Sequence, residues 1–148
     1  MLKAISVRQP WAWALLHGKD IENRTRPTRY RGLIAIHAAS GMTRAEEVAA
    51  RRFCAARGLA LPPAADLVRG AVVGIAQLTD WVTAHESPWF TGDYGYCMAD
   101  AQAFAVPFPA CGQRGLWHWP IPDSLAADRA IAAAVVGIAQ RGSAAQER

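Results

Sequence analysis

The chain has 148 residues, 52% of them apolar and 19% charged, which supplies the core of one folded domain and excludes an intrinsically disordered chain. Its net charge of +4 sits in the first quarter: residues 1–37 carry seven basic and two acidic side chains, and the remainder nine basic and ten acidic. That distribution excludes a generally adhesive basic protein and points to a local site for an anion or a nucleic-acid backbone.

The elements follow in order. Leu2 to Val7 reads as a strand, broken by Arg8-Gln9-Pro10. Pro10 suits the first position of a helix, where its missing N–H costs nothing. Trp11, Ala14 and Leu15 then share a helical face; Gly18 stops the helix, and Lys19 suits the negative end of its dipole. Asp20 to Thr25 reads as a short strand with Asp20, Glu22 and Arg24 on one face. A connection rich in arginine, punctuated by Pro27 and Gly32, leads to a strand over Leu33–Ala38, with Ile34 and Ile36 on one face and His37 on the other.

Thr43 and Glu46 have the spacing of a capping box, and the helix they open runs to Gly58. Gly70 to Leu78 is apolar on both faces, as a buried central strand would be, and residues 79–82 extend it. A polar loop over 83–93 carries Trp89 and Phe90, which read as better ligand contacts than Trp81. Tyr94–Ala99 and Ala103–Phe108 read as two strands of a hairpin turning at Asp100-Ala101-Gln102. Gly115–Trp119 is a last short strand. Asp123 or Ser124 caps an Ala-rich helix expected to fray from about residue 140.

About six strands with two to four helices and no linker imply one α+β domain, a small mixed β-barrel decorated by helices. Residues 1–122 form the barrel, and 123–148 a C-terminal helix and tail of the same domain. No apolar run approaches the roughly 20 residues that span a bilayer, and no secretory leader is expected. Cys54, Cys97 and Cys111 are widely spaced and form no C-x-x-C pair. Neither a disulfide framework nor a zinc site is expected, and the thiols read as reduced in a cytoplasmic protein.

Several ordered stretches carry a resemblance: Ser6-Val7-Arg8-Gln9-Pro10-Trp11-Ala12, Gly18-Lys19-Asp20-Ile21-Glu22-Asn23-Arg24, Tyr30-Arg31-Gly32 and Ile36-His37-Ala38. Together they resemble the ASCH domain in a small, bacterial-type, single-domain form. Lys19, Glu22 and Arg24 match its GxKxxExR pattern, with His17 at the first glycine position. The strand GAVVGIAQLTDWV and the segment GLWHWPIP resemble its central and closing strands, so the likeness covers roughly residues 2–120.

The resemblance implies a PUA-like barrel that binds RNA, another single-stranded nucleic acid or a nucleoside, without cofactor or metal. One branch of the family hydrolyses N4-acetylcytidine without metal, through a lysine matching Lys19 and a threonine whose place is taken here by Glu22. Some small members cleave single-stranded RNA. The family's eukaryotic namesake is a coactivator, so a protein-interaction module is a third reading.

Candidate site residues follow from both lines. Lys19 and Glu22 are the candidates for chemistry, as nucleophile or base, while Glu22 and Arg24 could equally form a plain surface pair. Arg8, Gln9 and Trp11 sit at a strand-to-helix junction, where an amide reads a base edge and an indole stacks, or where Gln9 caps the helix and Trp11 fills the core. Arg29, Tyr30 and Arg31, with Arg26, interleave positive charge with an aromatic as a phosphate track does. His37 reads either as a ligand contact or as a hydrogen-bonded histidine at a strand end.

Overall fold

Strand alternation decides the architecture. In the computed structural model, which describes residues 1–146 and only the backbone beyond 139, six strands form one mixed sheet in the order β2-β5-β4-β3-β1-β6. They are β1 (Leu2–Val7), β2 (Ile21–Arg24), β3 (Gly32–Ala38), β4 (Ala71–Val82), β5 (Tyr94–Pro109) and β6 (Leu116–Trp119). The helices are α1 (Trp11–Leu15), α2 (Arg44–Ala55) and α3 (Leu125–Gln146). β1 and β3 run parallel, with Ser6 opposite His37; every other ladder is antiparallel. The sheet is open in this order: among the described residues no ladder joins β2 to β6, so the α+β class holds without barrel closure.

Both faces of the sheet are covered, which is why the central strands are apolar throughout. Ile5, Ile34, Ile36, Ala76 and Leu78 pack on one face with Ala12 and Leu15 of α1. Ala4, Ala35, Val72 and Ile75 pack on the other with Phe104, Trp117, Trp119 and Ala134 of α3. A third cluster, containing Ala14, Ile21, Cys54 and Trp89, ties α2 to the α1 side.

Four local expectations are corrected. Pro10 is the N-cap of α1 and not its first residue. Lys19 lies beyond the C-cap Leu16, and its ammonium turns to Ile21 and Glu22 instead of the helix end. Residues 94–109 are one long strand and not a hairpin, because both halves pair with β4. Asp100 takes a positive φ of 53° where the register slips between Ile75 and Gln77, so the turn signal makes a bulge. α3 continues past residue 140 to Gln146, and the expected fraying of 147–148 lies outside the described residues. Thr43 and Glu46 do close their capping box at the start of α2, and the Ser124 hydroxyl accepts from the Ala127 N–H at the start of α3.

Candidate functional site

The motif strand β2 is short and edge-lying, and it pairs with the start of β5, Glu22 opposite Tyr96 and Arg24 opposite Tyr94. Alternation along β2 turns Glu22 and Arg24 the same way, toward the junction of β1 and α1. There they meet Lys19 across an open cavity of about 770 Å³ between β1, α1, β2 and α2. Trp11 and Phe53 form its aromatic wall, edge to face with centroids 5.5 Å apart.

The cavity floor is a chain of charges centred on Glu22. Lys19 Nζ lies 3.4 Å from Glu22 Oε1 and donates to the Ile21 carbonyl. Glu22 Oε2 accepts from Arg24 Nε at 3.1 Å and Nη2 at 2.8 Å, and the same Nη2 donates to the Ser6 carbonyl at 2.8 Å. Lys19 is 3% exposed in its side chain, with its ammonium 5.6 Å from the Trp11 ring centroid. Burial pushes the Lys19 pKa down, and the neighbouring Glu22 carboxylate pulls against that. Behind the floor, burial pushes the Cys54 thiol up, which suits a packed side chain and not a nucleophile.

At the mouth, Arg8 Nη2 grips Glu46 at 2.7 and 3.1 Å, and Arg8 Nε adds a contact at 3.3 Å. Glu46 also accepts from the Thr43 N–H at 3.1 Å, so its carboxylate is fixed by the helix start. The Arg8 hydrogen bond holds the Glu46 carboxyl below the usual range. On the opposite rim Asn23 pins the 87–92 segment, donating to the Trp89 carbonyl at 2.9 Å and accepting from the Thr91 and Gly92 N–H groups.

Of the residues the sequence singles out, the structure brings Arg8, Trp11, Lys19, Glu22 and Arg24 to this cavity. Gln9 is buried beside it with its amide spent on the fold, donating to the Val68 carbonyl at 2.8 Å and accepting from the Trp13 N–H at 3.0 Å. Arg29 is exposed on the β2–β3 connection; Tyr30 donates to the Leu33 carbonyl, and Arg31 pairs with Asp80 at 3.0 Å. None of these three lines the cavity. Trp89 is buried against Phe53 and is core, contrary to its reading as a loop ligand contact.

His37 lies on the α3 side of the sheet. Its Nε2 is 2.7 Å from the Ala110 carbonyl, so Nε2 carries a hydrogen, and the buried Nδ1 has no hydrogen-bond partner among the described residues. It borders a separate open cavity of about 920 Å³ with Ser6, Ser40, Cys111 and Arg114.

Sequence reasoning missed Ser6, Asn23, Glu46 and Phe53 as cavity residues. Glu46 was read only as a cap, and Phe53 lies one helical turn beyond Ala49 and Ala50, which was the available signal that this face of α2 meets the cavity.

What the arrangement offers is an aromatic edge for a planar ring and polar groups for its rim, with a buried amine beneath. Among the described residues, no group of three or more His, Cys, Asp or Glu side chains is placed to hold a metal, and no helix is long and apolar enough to cross a membrane. No model of a known protein family matches the chain, and no curated protein matches it.

Proposed function

We propose that the chain is an ASCH-type, PUA-like cytoplasmic module that binds nucleic acid or nucleoside by taking one base into the β1–α1–β2–α2 cavity. One observation carries this reading. Lys19, Glu22 and Arg24, the three motif matches, share a single cavity with the half-buried Trp11. An aromatic wall stacks a base of any sequence, and a fixed carboxylate between two cations reads the donors and acceptors of its edge. The mixed six-stranded sheet with its parallel β1–β3 pair, and the Arg24 guanidinium of β2 reaching the Ser6 carbonyl of β1, support a PUA-like architecture.

The test is a titration followed by tryptophan fluorescence, with the four ribonucleosides and a short mixed single-stranded RNA. A saturable change is expected, weakened about tenfold or more in Arg24→Ala, the loss of roughly one charge-assisted hydrogen bond. No response to any of these by cooperatively folding protein overturns the reading.

A second reading, a metal-independent hydrolase acting on RNA or a modified nucleoside, is favoured by the burial of Lys19, because a desolvated lysine is closer to a free amine. In that reading Lys19 is the nucleophile or base and Glu22 its proton partner. Turnover of N4-acetylcytidine or of the RNA in EDTA, abolished in Lys19→Met, would establish it; no turnover leaves a binding module.

A further inference from the structure

Three cations line the cavity, Arg8, Lys19 and Arg24, and each is already paired with a carboxylate. Lys19 and Arg24 share Glu22; Arg8 is gripped by Glu46. The cavity that the sequence presents as basic therefore has a formal excess of only one charge. Of the three, Arg8 is the most exposed and stands at the mouth, where the phosphate of a nucleotide seated in the cavity would meet it.

Arg8 and Glu46 are 49% and 43% exposed in their side chains. An ion pair so exposed contributes little to stability. Its consequence is occupancy: the Nε/Nη2 edge of the guanidinium, which would otherwise take a phosphate bidentately, is filled by Glu46. A second contact positions Glu46: the Thr43 N–H donates to the same carboxylate oxygen as part of the capping box of α2. Arg8 Nη1 lies over Gly41, in the space that a β-carbon there would take. A phosphate arriving at the mouth meets a fixed carboxylate before it meets a free cation.

We infer that Glu46 is a specificity-determining residue that occupies Arg8 and so keeps phosphate-bearing ligands out of the cavity, which narrows the nucleic-acid-or-nucleoside reading above to uncharged nucleosides. The nucleoside part of this rests on the nucleobase reading above; the exclusion of phosphate rests on the Arg8–Glu46 geometry alone.

Glu46→Gln is the test variant. Glutamine serves the capping box as glutamate does, so α2 keeps its start while the negative charge goes. The probes are cytidine, CMP and inorganic phosphate, measured by calorimetry on the full chain. Wild type is expected to bind cytidine about tenfold more tightly than CMP and to take up no phosphate, since a like charge at contact distance is a penalty of at least that order. Glu46→Gln is expected to lose that discrimination and to bind phosphate, and Arg8→Gln/Glu46→Gln to bind none.

Wild type that binds CMP, or single-stranded RNA through Arg8, more tightly than cytidine overturns the inference; Glu46 would then be a latch that phosphate displaces. Glu46→Gln that takes up no phosphate overturns it as well. Failure of every nucleoside with all three proteins sinks the nucleobase reading, while the phosphate measurements still decide the role of Glu46.

Discussion

Lys19 is a buried cation whose charge is balanced by one carboxylate, and that balance is where the site is most sensitive. Removing one partner of a buried pair costs about 3–5 kcal/mol, because the other charge is left in a poorly solvating place. Glu22→Gln should therefore lower the unfolding free energy by about 3 kcal/mol in urea denaturation at neutral pH. It should also push the Lys19 pKa further down, since the carboxylate that pulls it up is gone; the Lys19 side-chain carbon resonances report this directly. The pH dependence has a definite sign. With its folded pKa below the ordinary lysine value of 10.5, Lys19 binds fewer protons folded than unfolded across that interval. Stability from this group rises as pH climbs through the interval, is complete above 10.5 and is lost as pH falls through the lowered folded value. An alkaline rise in wild type that is unchanged in Lys19→Met would contradict the assignment. The shared face of Glu22 and Arg24 was legible from their spacing, because two residues apart on a strand is one face; Lys19 joined them through the motif resemblance, since its own position pointed it to the helix end. His37 illustrates the limit: its face was legible, opposite Ile34 and Ile36, but which helix covers that face is decided by α3, nearly a hundred residues away. Gln9 was legible as a polar junction residue, and only tertiary structure shows that the Val68 carbonyl consumes its amide.

At the scale of elements, periodicity located the strands, and the errors arose where local chemistry competed with pairing. Asp100 has the composition of a turn, and a residue at positive φ does occur there. Yet β4 offers twelve residues of ladder, and pairing both flanks with it holds the chain extended, so the distortion is absorbed as a bulge. Gly74 marks the cost of that arrangement. It pairs opposite Ala103, and a β-carbon there would lie 2.4 Å from the Gln102 carbonyl oxygen and 2.8 Å from Leu16 Cδ2 at the end of α1. The first contact is with backbone and cannot rotate away. Gly74→Ala should thus displace either β5 or α1, at a cost of about 3 kcal/mol, the upper part of the range for overpacked cores. A shift of the urea midpoint to lower concentration, with the m-value retained, is the expected result. An unchanged midpoint would mean that β5 is free to shift and that the bulge is not pinned by close packing. No sequence signal identified this glycine, because its constraint comes from atoms that only the β4–β5 register and the docking of α1 bring near it.

The whole molecule is divided by its sheet. One face carries α1, α2 and the Lys19–Glu22–Arg24 cavity; the other carries α3, His37 and the aromatic cluster of Phe104, Phe108, Trp117 and Trp119. The charge excess of the first 37 residues was plain in the sequence, but its meaning was not. Arg8 finds Glu46 and Arg31 finds Asp80, partners 38 and 49 residues away, so an N-terminal surplus becomes a set of ion pairs plus Lys3, which lies over the Tyr30 ring, and Arg26 and Arg29 at the surface. The division into faces makes a strong prediction about independence. Phe104 is 8% exposed and packs edge to face on Phe108 at 5.6 Å, within the cluster that α3 covers. Phe104→Ala should cost about 3–5 kcal/mol, as lost burial plus a residual cavity. β1 enters that cluster through Ala4 and Leu2, but the cavity's charged groups, Arg8, Lys19, Glu22, Arg24 and Glu46, stand outside it. Ligand affinity measured per folded molecule, below the denaturation midpoint, should therefore stay within about twofold of wild type, as for sites that share no partners. A loss of affinity in step with the loss of stability would show that the two faces are one cooperative unit, and that the cavity's charge network is held in place from across the sheet.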